Sequence, residues 1–235
     1  MAVDELATGR DRRERIVAAA ADLLRDGGRE GVSTRAVCRA AGIQTPTLYR
    51  LFGDKRGLLD AVASYGFSSY LESKVDRRES DDPVHDLRRG WDAHIGFGLA
   101  HPALFSLMYG EPRPDAPPPA AVAALELLAG LIHRIAEAGR LRVTETLATE
   151  LVSAAGCGTA FMLIARPEDG RDMATSAAAR EAAIAAITTD SPPAREAGAS
   201  SAAVNLRATL GTTTSLTEGE RALMAELLDR IASTE

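Results

Sequence analysis

The sequence predicts an all-α protein: an N-terminal three-helix domain built on a helix-turn-helix, followed by a larger helical bundle. Three observations lead there. Ala and Leu are abundant, aromatic residues make up only 4% of the 235 residues, and β-branched runs are few, a balance that favours helices over sheets. Apolar residues recur at helical period through most of the chain, with no alternating strand pattern and no internal repeat. Finally, Val32 to Lys55 (VSTRAVCRAAGIQTPTLYRLFGDK) carries a cap, a glycine turn and a second cap at the spacing of two short helices.

Taken in order, residues 1–9 lack periodicity and are expected to be a mobile tail. From Arg10, the spacing of Ile16, Ala20, Leu23 and Leu24 gives one apolar helical face that ends at Gly27-Gly28. The basic run Arg10, Arg12, Arg13, Arg15 at its start is either a solvated face or a set of phosphate contacts. Ser33 suits the N-cap of the second helix, with Val32 as a staple residue before it. Ala36, Val37, Ala40 and Ala41 give that helix a small-residue face, and Gly42 ends it in the left-handed conformation. Thr45 then caps and Pro46 opens the third helix, where a missing N–H costs nothing. Leu48 and Phe52 face inward, Thr47, Tyr49 and Arg50 outward, and Gly53-Asp54 stops this helix and caps the next.

A long helix is expected over Lys55–Lys74, followed by the polar loop DRRESDDP. Pro83 opens a helix through Leu99, His101-Pro102 a short one, and PRPDAPPP (112–119) forms a surface connection. Helices follow over Ala120–Gly139, Thr144–Ala165 and Arg171–Ile187. The loop TTDSPPAREAGASS leads to a weak helix, Ala202–Leu210, and Thr217–Ala232 opens with a capping box completed by Glu220.

Composition narrows the class. With 46% hydrophobic and 26% charged residues, the chain can bury a core. The net charge of −6 is uneven: residues 1–56 carry 11 Arg/Lys against 8 Asp/Glu, and the remaining 179 carry 16 against 25. A mildly basic head on an acidic body suits local phosphate contact with the body held away from nucleic acid. Cys38 and Cys157 make neither a disulfide framework nor a zinc site, so a reduced cytoplasmic setting is expected. No apolar run follows Met1 and no run of 18 apolar residues occurs, so neither a signal peptide nor a membrane span is expected. No HExxH, ExxH pair, GxSxG or phosphate loop is completed, so no enzyme constellation is recognised, and no cofactor or metal is called for.

The chemistry therefore concentrates on the third helix. Recognition helices meet base edges with their N-terminal residues. Arg50 can grip a guanine bidentately, the Thr47 methyl or Pro46 ring can pack on thymine methyls, and Thr45 and Arg35 complete the base-contact set. Thr34, Gln44, Tyr49 and Lys55 suit phosphates, Lys55 because it stands in the first turn of its helix.

These residues also carry a resemblance. AGIQTPTLYRLFGDKRGLLDAV resembles the DNA-binding domain of the TetR family of transcriptional regulators, through Ala41-Gly42-Ile43, Thr47-Leu48-Tyr49, Phe52 and Lys55. It is specific over about residues 10–60; WDAHIGFGLAHPALFSLMYG is more loosely similar to the opening of the ligand domain in one subfamily. Leu51 departs from the pattern, since many members place a phosphate-touching His or other polar residue there. The resemblance implies a DNA-binding domain over residues 1–54 and a ligand-binding and dimerisation domain over 55–235. It further implies a homodimer on a pseudo-palindromic operator and a small-molecule effector that releases the DNA. Such an effector must favour a form whose half-site spacing no longer matches one turn of about 34 Å, and a coupling of about 1–3 kcal/mol suffices.

For the effector, Trp91, His94, Phe97, His101, Phe105, Met108 and Tyr109 form the densest aromatic and Met cluster, with Phe161 and Met162 closing it from a later helix. This cluster is either a pocket wall or packed core. Cys157, between Gly156 and Gly158, is read as an inert core residue. The alternative function is a helical small-molecule-binding protein or enzyme that does not bind an operator.

Overall fold

A computed structural model of the chain describes residues 2–73, 79–113, 116–189, 199–212 and 215–233. Among them run eleven α-helices: α1 (Ala2–Gly31), α2 (Thr34–Ala41), α3 (Thr45–Phe52), α4 (Lys55–Ser73), α5 (Pro83–Ala100), α6 (Pro102–Tyr109), α7 (Pro119–Glu137), α8 (Glu145–Ile164), α9 (Met173–Ile187), α10 (Ala199–Thr209) and α11 (Glu218–Ala232). The described residues contain no strand, only an isolated antiparallel bridge between Leu141 and Thr188. The protein is all-α. Lys74 and parts of three expected loops (76–83, 112–119 and 188–201) lie outside the described residues.

Several boundaries differ from expectation; α7 runs Pro119–Glu137 rather than Ala120–Gly139, and α9 starts at Met173 rather than Arg171. Helix α1 begins at Ala2, eight residues before Arg10, so the expected tail is helical. A helix nucleated from Arg10 onward extends without a new nucleus, and Ala2, Glu5, Leu6 and Ala7 are good helix formers. Helix α3 is capped by Gln44 rather than Thr45, without a side-chain bond. Helix α10 starts at Ala199, three residues early. Gly28 interrupts α1 with φ 58° and ψ −160°, a conformation open only to glycine, and so ends the straight helix where Gly27-Gly28 predicts.

The chain forms two compact units: Met1–Arg77 with Phe97–Ala123, and Arg78–Gly96 with Ala124–Glu235. Two of the three divisions fall inside α5 and α7. In the first unit, α1 packs along α2 and α4, α3 lies on α2 and α4, and α6 lies on α4. Its core is Ile16, Val17, Ala20, Leu24, Val37, Leu48, Leu58, Val62 and Phe105, all buried. Helix α6 approaches α4 closely at Gly66, where a Cβ would stand 2.5 Å from Leu104 Cδ1. Beside it, the Phe97 ring lies 4.9 Å from that of Tyr70, 5.7 Å from Phe67 and 5.5 Å from His101.

In the second unit, α8 pairs with α9 and α10 with α11. Val84, Leu87, Trp91, Ile132, Ile135, Val152, Leu163, Ile184 and Ile187 fill its core. Asn205 on α10 donates to the carbonyls of Ala136 and Glu137 at 3.2 Å each, satisfying the end of α7. The expected capping box stands: Thr217 N donates to Glu220 Oε2 at 2.8 Å, and Glu220 N to Thr217 Oγ1 at 3.3 Å. Two helices are strongly apolar without containing an unbroken apolar run of 18 residues. By length and composition α7 and α8 are apolar enough to cross a membrane, with mean hydropathies of 1.4 and 1.6, although only 22% and 33% of those stretches are buried. Internal polar residues such as Glu126 and Glu150 break each run without lowering its mean enough.

Candidate nucleic-acid interface

The interface is built by caps. Ser33 Oγ accepts from Ala36 N at 3.1 Å and starts α2. Gly42, at φ 62° and ψ 38°, ends it, while Ile43 N reaches back to the Cys38 carbonyl at 3.0 Å. The chain then turns into α3, whose Leu48 and Phe52 are buried. That anchoring leaves the opposite face open: Gln44, Thr45, Pro46, Tyr49 and Arg50 are exposed, Tyr49 by 45%, and Thr47 is half-buried. On the neighbouring ends, Arg35 and Lys55 are exposed and Thr34 is half-buried. Asp54 Oδ1 accepts from Gly57 N at 2.8 Å and so caps α4, which places Lys55 in its first turn. Thus all nine expected DNA-contact residues lie on α2, α3 and the start of α4, or at the caps between them.

Two contacts are absent from the sequence reading. Thr45 Oγ1 takes the Cys38 thiol as a donor at 3.8 Å, tying α3 to α2. Arg13 of α1 places its guanidinium over the Phe52 ring, 5.1 Å from the centroid. The basic run that contains Arg13 is visible in sequence, but its partner is not.

The nine residues expected around an effector fall in both units. Phe97, His101, Phe105, Met108 and Tyr109 belong to the first. There Phe97, Phe105 and Met108 are packed, with the Phe105 and Tyr109 rings 4.7 Å apart, while His101 is exposed. Trp91, His94, Phe161 and Met162 belong to the second. Trp91 Nε1 donates to Ser176 Oγ at 3.1 Å, and His94 Nε2 lies 3.9 Å from Cys157 Sγ. Burial pushes the His94 imidazole down to about 4 and the Cys157 thiol up to about 11, so both are neutral at pH 7. Gly156 packs beside this pair: a Cβ there would stand in ordinary van der Waals contact, 3.4 Å from His94 Cδ2. A separate polar cleft of about 690 Å³, lined by His133, Glu137, Glu145, Arg207 and Asp229 among others, opens among α7, α8, α10 and α11. Among the described residues no group of His, Cys, Asp and Glu is placed to hold a metal.

An anchored short helix with an open polar N-terminal face, set by two glycine-capped turns, is the geometry of a helix-turn-helix DNA-binding regulator. Residues 16–62 match the family model described as bacterial regulatory proteins, tetR family. Over 51 residues the chain is 47% identical to tetracycline repressor protein class C of Escherichia coli, a match covering 22% of this chain and 23% of that protein. It therefore spans about a quarter of that relative's length. An HTH-type transcriptional regulator of Mycobacterium tuberculosis is 31% identical over 162 residues, 61% of this chain and 67% of that one. A TetR variant from Acinetobacter baumannii AYE, solved in complex with minocycline, shares the fold with a TM-score of 0.53 at 22% identity, over 73% of this chain and 93% of that one. The chain belongs to the TetR family of transcriptional regulators.

Proposed function

We propose that the protein is a repressor that binds a pseudo-palindromic operator as a homodimer and is released by a small-molecule effector. The observation that carries this reading is the exposed face of α3, held rigid by buried Leu48 and Phe52. In it, Arg50, Thr45, Pro46 and Thr47, with Arg35 from α2, read bases. Thr34, Gln44, Tyr49 and Lys55 hold phosphates. Residues 1–54 serve as the DNA-binding part and residues 55–235 as the ligand and dimer part. The proposed effector contacts are Trp91, His94, Phe161 and Met162 in the second unit and Phe97, His101, Phe105, Met108 and Tyr109 in the first. Support for a small molecule comes from the relatives, one a tetracycline repressor by name and one solved with minocycline.

Support for the dimer comes from α8. Leu147, Leu151, Ala154 and Gly158 are exposed on it at alternating spacings of four and three, although Val152, Ala160 and Leu163 on its other side are already buried. A helix apolar on both sides wants a second partner, and this spacing is the seam of two packed helices. Exposed Ala178, Ala182 and Ala185 extend a small-residue surface along α9.

Arg50→Ala and Lys55→Ala separate the assigned roles. Binding of the full-length variants to a selected operator and its single-base variants is expected to split them. Arg50→Ala loses discrimination at one position per half-site, at a cost of about 1–3 kcal/mol, whereas Lys55→Ala weakens all sequences alike. Uniform loss in both variants contradicts the base-reading role of Arg50.

A further inference from the structure

We propose that Arg13 is an additional DNA-binding residue, a phosphate contact held in place by the Phe52 ring at the end of the recognition helix. The inference rests on the operator-binding reading above and extends it to a residue of α1.

Position comes first. Arg13 stands one turn before Ile16 and Val17, which are 1% and 3% exposed, so it continues the inward stripe of α1. An apolar residue is the ordinary choice there. Arg13 instead leaves the core at its edge, stays exposed, and lays its guanidinium 5.1 Å from the centroid of Phe52. The ring face attracts the cation without supplying a hydrogen-bond acceptor, and a guanidinium carries five donors, so Arg13 keeps donors available for an anion. Arg13 has no hydrogen-bonded or ion-paired partner among the described residues, unlike Arg29, which pairs with Glu111, and Arg113, which pairs with Asp60. It is a cation fixed in place with its hydrogen-bonding capacity open.

Location comes second. Phe52 is the last residue of α3, and Lys55 opens α4 three residues later. The one carboxylate in that turn, Asp54, is engaged by Gly57 N at 2.8 Å. Arg13 therefore stands at the same end of the recognition helix as Lys55. A planar fork of donors is the side chain suited to a phosphate, and a phosphate contact carries no base information. Leu51, beside Phe52, is apolar and offers no phosphate contact.

The test is a salt titration of full-length wild type, Arg13→Gln and Arg13→Lys on the selected operator and on random duplex DNA. Arg13→Gln is expected to weaken both DNAs alike, by about three- to tenfold, and to flatten the slope of log K against log[salt] by about 0.9 per protomer. Arg13→Lys keeps the charge, so it keeps the wild-type slope while binding a few fold more weakly. An unchanged slope in Arg13→Gln overturns the proposal whether or not affinity falls, because a purely packing role costs affinity without releasing fewer counterions. If wild type itself shows a flat slope, the operator-binding reading fails with it; a steep wild-type slope matched by Arg13→Gln removes only Arg13.

Discussion

Asp86→Asn is expected to lower the unfolding free energy by about 3 kcal/mol, the low end of the 3–5 kcal/mol typical of removing one partner from a buried pair. Asp86 is 4% exposed in the second unit. Its carboxylate accepts from Arg134 Nη1 at 2.6 Å, Ser80 Oγ at 2.7 Å and Ser80 N at 3.0 Å, with Arg89 as a further donor. Arg134 also donates to the Ser80 carbonyl at 2.8 Å, so the group fastens residue 80 to α5 and α7. The low end applies because the Arg134 side chain is 23% exposed and can be partly rehydrated when its partner is neutral. Burial alone would raise the Asp86 pKa, but the bonds from Ser80, Arg134 and Arg89 outweigh it and hold the carboxyl well below the usual range. A folded-state value below the unfolded one contributes stability that is complete above the unfolded value, near pH 4, and is lost as pH falls further. Urea denaturation of wild type and variant at neutral and acid pH checks this: the gap is wide at pH 7 and closes on acidification. A constant gap down to the acid limit contradicts the ion-pair account.

The second large effect concerns assembly. Ala154→Arg combined with Gly158→Arg is expected to leave the protomer folded and to abolish the dimer. Both positions are exposed, and a Cβ built at Gly158 meets nothing within 4 Å beyond its own stretch of helix, so the protomer has room for the new side chains. Across a symmetric seam, however, four guanidinium groups would face one another away from water, at a cost of several kcal/mol. Sedimentation should show a monomer. Operator affinity should fall by more than about 100-fold, because two half-sites then bind independently. A double variant that remains dimeric places the interface elsewhere.

The elements themselves were legible where the signal is local. Ser33, Gly42, Asp54 and the Thr217–Glu220 box act within three or four residues, and each stands at the end of the helix it was expected to bound. Sequence offers less where the determinant is a distant partner. Nothing near Asp86 announces Ser80 and Arg134 as its ligands, and nothing near Arg13 announces Phe52. The aromatic cluster from Trp91 to Tyr109 is one stretch in sequence, yet the division after Gly96 assigns its residues to different units. Likewise, the start of α1 lies before the point that apolar periodicity marks, because periodicity locates the face of a helix and not its first residue. The exposed face of α3 was the clearest part of all, since both its buried anchors and its open residues follow from one short amphipathic helix between two capped turns.

The most direct measurement is selection of duplex DNA by the full-length protein from a random pool, followed by a salt titration on the winning sequence. The predicted result is a pair of inverted half-sites whose centres lie about one helical turn, or a multiple of it, apart, with log K falling steeply as log[salt] rises. A pool that stays random, or a bound sequence whose affinity is indifferent to salt, contradicts the account.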